Sequence, residues 1–217
     1  MLLRLFLSLL LLTLDHQSAY AHAEITGSSP ANSTVIKVLP KEIILSFNEA
    51  VSVEKDGIQL LNASGKILSS SAKQSGSDLK LVTPKIKAGR YLVRYRVISA
   101  DGHIIIESIT FSYGLETPKS KPLSRYLGSK GENIGFFLSG SRAGENSFIV
   151  NTKGLSGRAE FKNTKFGAPI LVNLSASGNA LEGKVLIPSS GKWSVIVRVR
   201  VSDFEERVLS GVIDIKA

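Results

Sequence analysis

The sequence predicts an all-β protein built as two β-sandwich domains, and three observations carry that prediction. Short apolar runs with period-two alternation recur along most of the chain, as in Tyr91-Leu92-Val93-Arg94-Tyr95-Arg96-Val97-Ile98. Clusters of Gly, Pro, Asn, Asp and Ser separate these runs, and no long stretch carries a helical stripe. A polar segment with two prolines, Leu115-Glu116-Thr117-Pro118-Lys119-Ser120-Lys121-Pro122-Leu123, divides the strands into two groups and reads as a linker. The expected organisation is an export signal over 1–21, a first domain over 22–114, a linker over 115–128 and a second domain over 129–217.

The elements follow in order. Met1-Leu2-Leu3-Arg4 is a short basic n-region, and Leu5 to Leu14 is an apolar run of signal-peptide length, too short to span a bilayer comfortably. Ala19-Tyr20-Ala21 offers small residues where a signal peptidase reads, which predicts cleavage after Ala21 and a mature chain starting His22-Ala23-Glu24. The expected product is exported and not membrane-spanning. Ser28-Ser29-Pro30-Ala31-Asn32-Ser33 reads as a turn; Val35–Val38, Glu42–Phe47, Ile58–Leu61, Leu79–Val82, Tyr91–Ile98 and Ile104–Tyr113 read as strands. Past the linker, Asn146–Asn151, Pro169–Leu174, Gly183–Ile187, Trp193–Val199 and Val208–Ile215 read as strands of a separate sandwich. Trp193, the only tryptophan, reads as a core anchor.

Composition removes many functions. The chain has no cysteine, so disulfides, thiolate metal sites and a cysteine nucleophile are excluded. A formal charge of +9 comes from scattered lysines and arginines, which reads as solvated surface, with no nucleic-acid partner. There is no glycine-rich phosphate loop and no Gly-x-Ser-x-Gly elbow. Glu205-Glu206 sits among polar residues and reads as surface.

Three histidines remain to carry chemistry, and His16 falls inside the removed segment. His22, once terminal, offers its α-amine and ring Nδ1 to one metal ion, a chelate that no internal histidine can form. In Ser99-Ala100-Asp101-Gly102-His103, positions i and i+2 share one side of an extended chain, so Asp101 and His103 can present a carboxylate and an imidazole together. The same tripeptide also suits a plain turn with Asp101 bonded to its own backbone, and His22 also suits chance at a processing site. If the three meet, nitrogen and carboxylate donors suit Cu(II), with zinc the nearest rival. Cu(I) wants sulfur, and Met1 is the only methionine.

Four segments together resemble a known family: His22-Ala23-Glu24, Ser28-Ser29-Pro30-Ala31, Pro40 to Val51, and Gly89 to His103. They resemble the CopC family of copper-resistance and copper-homeostasis proteins over residues 22–114. The resemblance implies a periplasmic, cupredoxin-like or immunoglobulin-like β-barrel that binds Cu(II) through His22, Asp101 and His103. Some members carry a methionine-rich Cu(I) site, and this sequence departs from them. Gly144-Glu145-Asn146-Ser147-Phe148 and Gly191-Lys192-Trp193-Ser194-Val195 resemble, more weakly, the YtkA-like sandwich found in CopC–CopD fusions. That likeness implies a CopD-type membrane copper transporter as partner.

The leading expectation is a copper carrier that catalyses nothing. A histidine-brace copper monooxygenase is the enzymatic alternative, opposed by the anionic ligand Asp101 and by the lack of a flat aromatic platform. A purely adhesive or structural pair of sandwiches is the third reading, in which both histidines are accidents.

Overall fold

The computed structural model describes residues 23–129 and 131–217, so the expected signal segment 1–21, its cleavage site and His22 lie outside the described residues. The described chain is all β, with no helix long and apolar enough to cross a membrane.

Nine strands make the first domain: β1 (Ile25–Ser29), β2 (Thr34–Ile36), β3 (Glu42–Phe47), β4 (Ser52–Asn62), β5 (Ile67–Ser69), β6 (Ala72–Ser75), β7 (Asp78–Val82), β8 (Gly89–Ile98) and β9 (Ile104–Tyr113). One sheet runs β1-β3-β7-β6, and the facing one runs β5-β4-β8-β9, with β2 parallel on β9. Alternation does the sorting. Ile43, Leu45 and Phe47 of β3, Leu79 and Leu81 of β7, and Tyr91, Val93, Tyr95 and Val97 of β8 all point into one core. Tyr91 stacks on Phe111 with ring centres 5.5 Å apart, and Phe47 meets Tyr95 edge-on at 5.6 Å. The expected strand Val35–Val38 is shorter and earlier, because Val38 points to solvent. Ser28 and Ser29, expected in a turn, end β1 instead, where the ladder to Leu45 and Ile44 overrides their turn propensity.

Eight strands make the second domain: β10 (Leu123–Ser129), β11 (Glu132–Leu138), β12 (Gly144–Val150), β13 (Ser156–Lys162), β14 (Ile170–Ser177), β15 (Ala180–Ile187), β16 (Gly191–Arg200) and β17 (Glu206–Ile215). Their order β13-β16-β17-β10-β11-β12-β15-β14 returns to β13, so the sandwich is closed at its edges. The closure is thin between β10 and β17, which pair only at Gly128 and Ser210. Trp193 is fully buried, stacked on Phe166 at 5.5 Å, and its indole donates to the Ser189 carbonyl.

In the second domain three strands lie where none was expected, as β1, β5 and β6 do in the first. β10 starts inside the expected linker 115–128, because Leu123 and Leu127 enter the second core while Ser124, Arg125 and Tyr126 hide the pattern. β11 and β13 are interrupted by glycine and charge in sequence, yet Phe136, Leu138, Ala159 and Phe161 are buried. The residues before β10 are pinned rather than loose: Glu145 N–H donates to Thr117 Oγ1 at 2.7 Å and Ser141 N–H to Ser120 Oγ at 2.9 Å.

The two sandwiches are not separate beads. Leu61 and Leu92 leave the first domain's outer face and join the second domain's core, a burial worth about 1.5–3 kcal/mol per side chain. Ser108 of β9 bridges Ile170 of β14 in parallel and donates from Oγ to the Pro169 carbonyl at 2.7 Å. Arg94 donates to the Phe166 carbonyl at 2.9 Å, and Asn32 donates to the Leu171 carbonyl while accepting from Thr110 N–H. Half of β9 is thereby covered, and its hairpin end projects past the interface.

Candidate metal centre

The turn between β8 and β9 is Ser99-Ala100-Asp101-Gly102-His103. Gly102 N–H donates to the Ser99 carbonyl at 2.9 Å and Ser99 N–H to the His103 carbonyl at 3.0 Å, which closes the loop on itself. Gly102 has φ +86°, a left-handed conformation that favours glycine, and nothing lies within 4 Å of where a β-carbon would sit. The glycine is required by the backbone alone.

That loop brings Asp101 and His103 together, as the sequence predicts. Imidazole Nδ1 lies 3.0 Å from Asp101 Oδ2. The other carboxylate oxygen accepts from the Ser99 hydroxyl and from His103 N–H at 3.2 Å. The Ser99 hydrogen bond above all, with smaller help from His103, holds the Asp101 carboxyl far below the usual carboxylate range, against a modest opposing cost of desolvation. Asp101 is therefore a permanent anion at any physiological pH.

The neighbouring loop sets what faces this pair. Glu24 N–H donates to Asn48 Oδ1 at 2.7 Å, and Asn48 N–H returns a bond to the Glu24 carbonyl at 3.0 Å. The next residue, Glu49, accepts from Ala100 N–H at 3.2 Å. Asn48 and Glu49 thus stitch the N-terminal strand to the 99–103 hairpin. Ala23 is buried, and it lines with His103 a cleft of about 280 Å³ whose other walls include Glu24, Ile105, Glu107 and Arg158.

His22 lies outside the described residues, one peptide bond from Ala23. Among the described residues, no group of three His, Asp or Glu side chains is already arranged to hold a metal. The donor chemistry that is present, an imidazole and an ionised carboxylate on one rigid turn, fits a divalent ion of borderline softness that accepts nitrogen and oxygen. Such an ion would use either the Asp101 carboxylate directly or His103 with Asp101 steadying its ring, and both keep the turn's backbone.

Four residues of the site escaped the sequence reading. Ser99 and Glu49 carried no signal beyond their proximity to known motifs. Glu107 is a lone carboxylate in a strand expected to be β-branched and aromatic throughout, and a charge in that setting is a legible oddity. Arg158 belongs to the other domain and reaches this wall only through tertiary packing.

Residues 25–114 match the CopC domain family. Protein YobA of Escherichia coli (strain K12) is 33% identical over 115 residues, 51% of this chain and 93% of its own length. Copper resistance protein C of Escherichia coli is 33% identical over 106 residues, 44% of this chain and 83% of its own. Copper transport protein CutJ of Bacillus subtilis is 30% identical over 111 residues, 49% of this chain and 20% of that protein. Among solved structures, CopC from Methylosinus trichosporium OB3b is 30% identical and covers 42% of this chain and 93% of its own, with a TM-score of 0.39.

Proposed function

Because this chain belongs to the CopC family through its first domain, we propose that it is a copper carrier, binding Cu(II) in the periplasm and passing it on without catalysing a reaction. The observation that carries the reading is the Asp101–His103 pair on one closed turn, with Ala23 on the wall of the same cleft. On this reading the export signal is cut after Ala21, and the new terminus adds the His22 amine and imidazole to the Asp101 carboxylate and the His103 imidazole. Ligands of that kind favour Cu(II). Cu(I) would look for sulfur, and the chain beyond Met1 contains neither methionine nor cysteine.

Electrostatics support capture. The chain carries +9 overall, yet Asp101, Glu49 and Glu24 gather around this hairpin, which is a local negative focus on a basic protein. An anionic ligand that stays ionised also stabilises Cu(II) relative to Cu(I), which argues against oxygen-activating chemistry. A CopD-type membrane transporter is the natural recipient, since a carrier without redox chemistry needs an acceptor.

The test is electron paramagnetic resonance of protein cleaved before His22 and loaded with one equivalent of Cu(II), beside protein carrying one extra residue at that end. The expected result is a nitrogen-rich tetragonal spectrum that changes when the amine becomes an amide. An identical spectrum from both proteins would remove His22 from the site, and absence of specific copper would remove the carrier.

A further inference from the structure

The cleft beside His103 has one wall that belongs to the other domain. Glu24, His103, Ile105 and Glu107 come from the first domain, and Arg158 comes from β13 of the second. Arg158 donates from Nη2 to Glu107 Oε1 at 2.7 Å, and the Tyr95 phenol donates to Oε2 of the same carboxylate at 2.7 Å. Each oxygen is thus held, one from within the first domain and one from across the interface. The Glu107 side chain is only 18% exposed, against 40% for Arg158, so water screens the acid less than it would a surface carboxylate.

His103 stands exposed just before β9, and Glu107 lies four residues on within the strand, where its side chain is part-buried. At the usual strand rise their α-carbons are about 13 Å apart, a separation at which Glu107 acts on an ion at His103 through its charge and not as a ligand. Glu107 and Arg158, with Glu24, also line an interdomain cavity of about 380 Å³ whose walls include Lys184 and Glu145, and His103 stands outside it. In the cleft itself Arg158 is the one cationic side chain among the lining residues. Whatever Arg158 does to Glu107, it therefore does to the potential at the metal.

We propose, building on the Cu(II)-carrier reading, that the second domain is a working part of the metal site and that Arg158 sets its affinity. Paired with Arg158, Glu107 contributes almost no net field to the cleft. Unpaired, it would add a negative charge beside a divalent ion and hold that ion more tightly. The second domain thus keeps the site below the affinity its own carboxylates would give, which is what a carrier that must release copper requires. Arg158 is on this account a positioning and charge-setting residue that never touches the ion.

The experiment measures Cu(II) affinity by chelator competition in the cleaved full chain, at low and high salt, for Arg158→Gln, Glu107→Gln, the double variant and Arg158→Lys. Arg158→Gln leaves Glu107 uncompensated and should tighten binding about three- to tenfold at about 10 mM salt. Glu107→Gln leaves Arg158 uncompensated and should weaken it by a similar factor. The double variant should return to the wild-type value, Arg158→Lys should stay close to it, and both single shifts should shrink at about 0.5 M salt. A clamp that only holds the domains together predicts weakening in both single variants with no recovery in the double, and that result overturns the proposal, as would two unchanged affinities. If Arg158→Gln fails to fold, the nearly isosteric Glu107→Gln decides by its salt dependence: a charge effect shrinks at about 0.5 M salt, whereas a loosened clamp weakens binding equally at both salts and overturns the proposal. Flat variants beside a wild type that binds copper remove only this inference, whereas a wild type without specific Cu(II) binding removes the carrier reading with it.

Discussion

Two hairpin turns of the first domain share a backbone and differ in what they do. At Asn62–Lys66, Gly65 N–H donates to the Asn62 carbonyl at 2.9 Å and Asn62 N–H to the Lys66 carbonyl at 3.0 Å, with Gly65 at φ +83°. At Ser99–His103 the corresponding bonds are 2.9 and 3.0 Å, with Gly102 at φ +86°. In the first turn Asn62 Oδ1 accepts from Ser64 N–H, the Ser64 hydroxyl and Lys66 N–H, so that acceptor is consumed locally. In the second the acceptor has moved from the first position to the third, has become a carboxylate, and faces an imidazole at the fifth. A turn is thus a scaffold that chemistry can borrow. What makes one of them a candidate site is the side-chain placement and the Ala23, Glu49 and Glu107 surroundings.

Exchanging the side chains tests this most sharply. His103→Ala should weaken Cu(II) by more than the roughly 10- to 100-fold that losing a supporting residue costs, while Lys66→Ala, at the matching position, should leave the competition titration unchanged. Equal affinities in the two variants would reduce the 99–103 turn to the status of its twin.

Glycine replacement should separate the twins by stability. Gly102→Ala meets open space and should cost about 1–2 kcal/mol from left-handed strain alone. Gly65→Ala carries the same strain, and in addition its β-carbon would lie 2.7 Å from Lys165 Cγ and 3.0 Å from the Lys165 carbonyl oxygen of the second domain. Denaturant unfolding should therefore show the larger loss at Gly65. A larger loss at Gly102 would mean that the metal turn is more constrained than its surroundings indicate.

The smallest effect concerns pH. Burial first, and then the neighbouring Glu107 charge and hydrogen bond, hold the Tyr95 phenol well above its ordinary value. Because the folded pKa is raised, the stabilisation is fully present below the unfolded value near 10 and is lost as pH rises through the folded one. Ultraviolet titration should find one tyrosine that ionises late, and Tyr95→Phe should remove both that step and the accompanying alkaline loss of stability. The hydroxyl's hydrogen bond itself should cost about 1 kcal/mol at neutral pH. A phenol that titrates with the exposed tyrosines would show that the Tyr95–Glu107 contact does not persist in solution.

Much of the fold was legible because period-two burial is a local signal. Glu42–Phe47 and Ile104–Tyr113 match β3 and β9 residue for residue. β10, β11 and β13 were hidden because a ring closed by neighbouring strands can hold segments whose own pattern is weak. Leu92 falls in the outward register of β8, and its burial depends on the second domain's core covering it. The Asp101–His103 pair was legible for a different reason: two residues on one tight turn have few ways to be far apart.

By itself the sequence determined the all-β class, the alternating cores, the glycine that the 99–103 turn requires, and the absence of sulfur beyond Met1 that narrows the metal chemistry. Each depends on neighbours along the chain or on composition. Only the tertiary structure decided that the two sandwiches share an interface, that Asn48 and Glu49 bring Ala23 to the hairpin, and that Arg158 stands against Glu107. Those contacts join residues tens of positions apart. Their geometry follows from how whole sheets pack, and a short stretch of sequence carries no record of it.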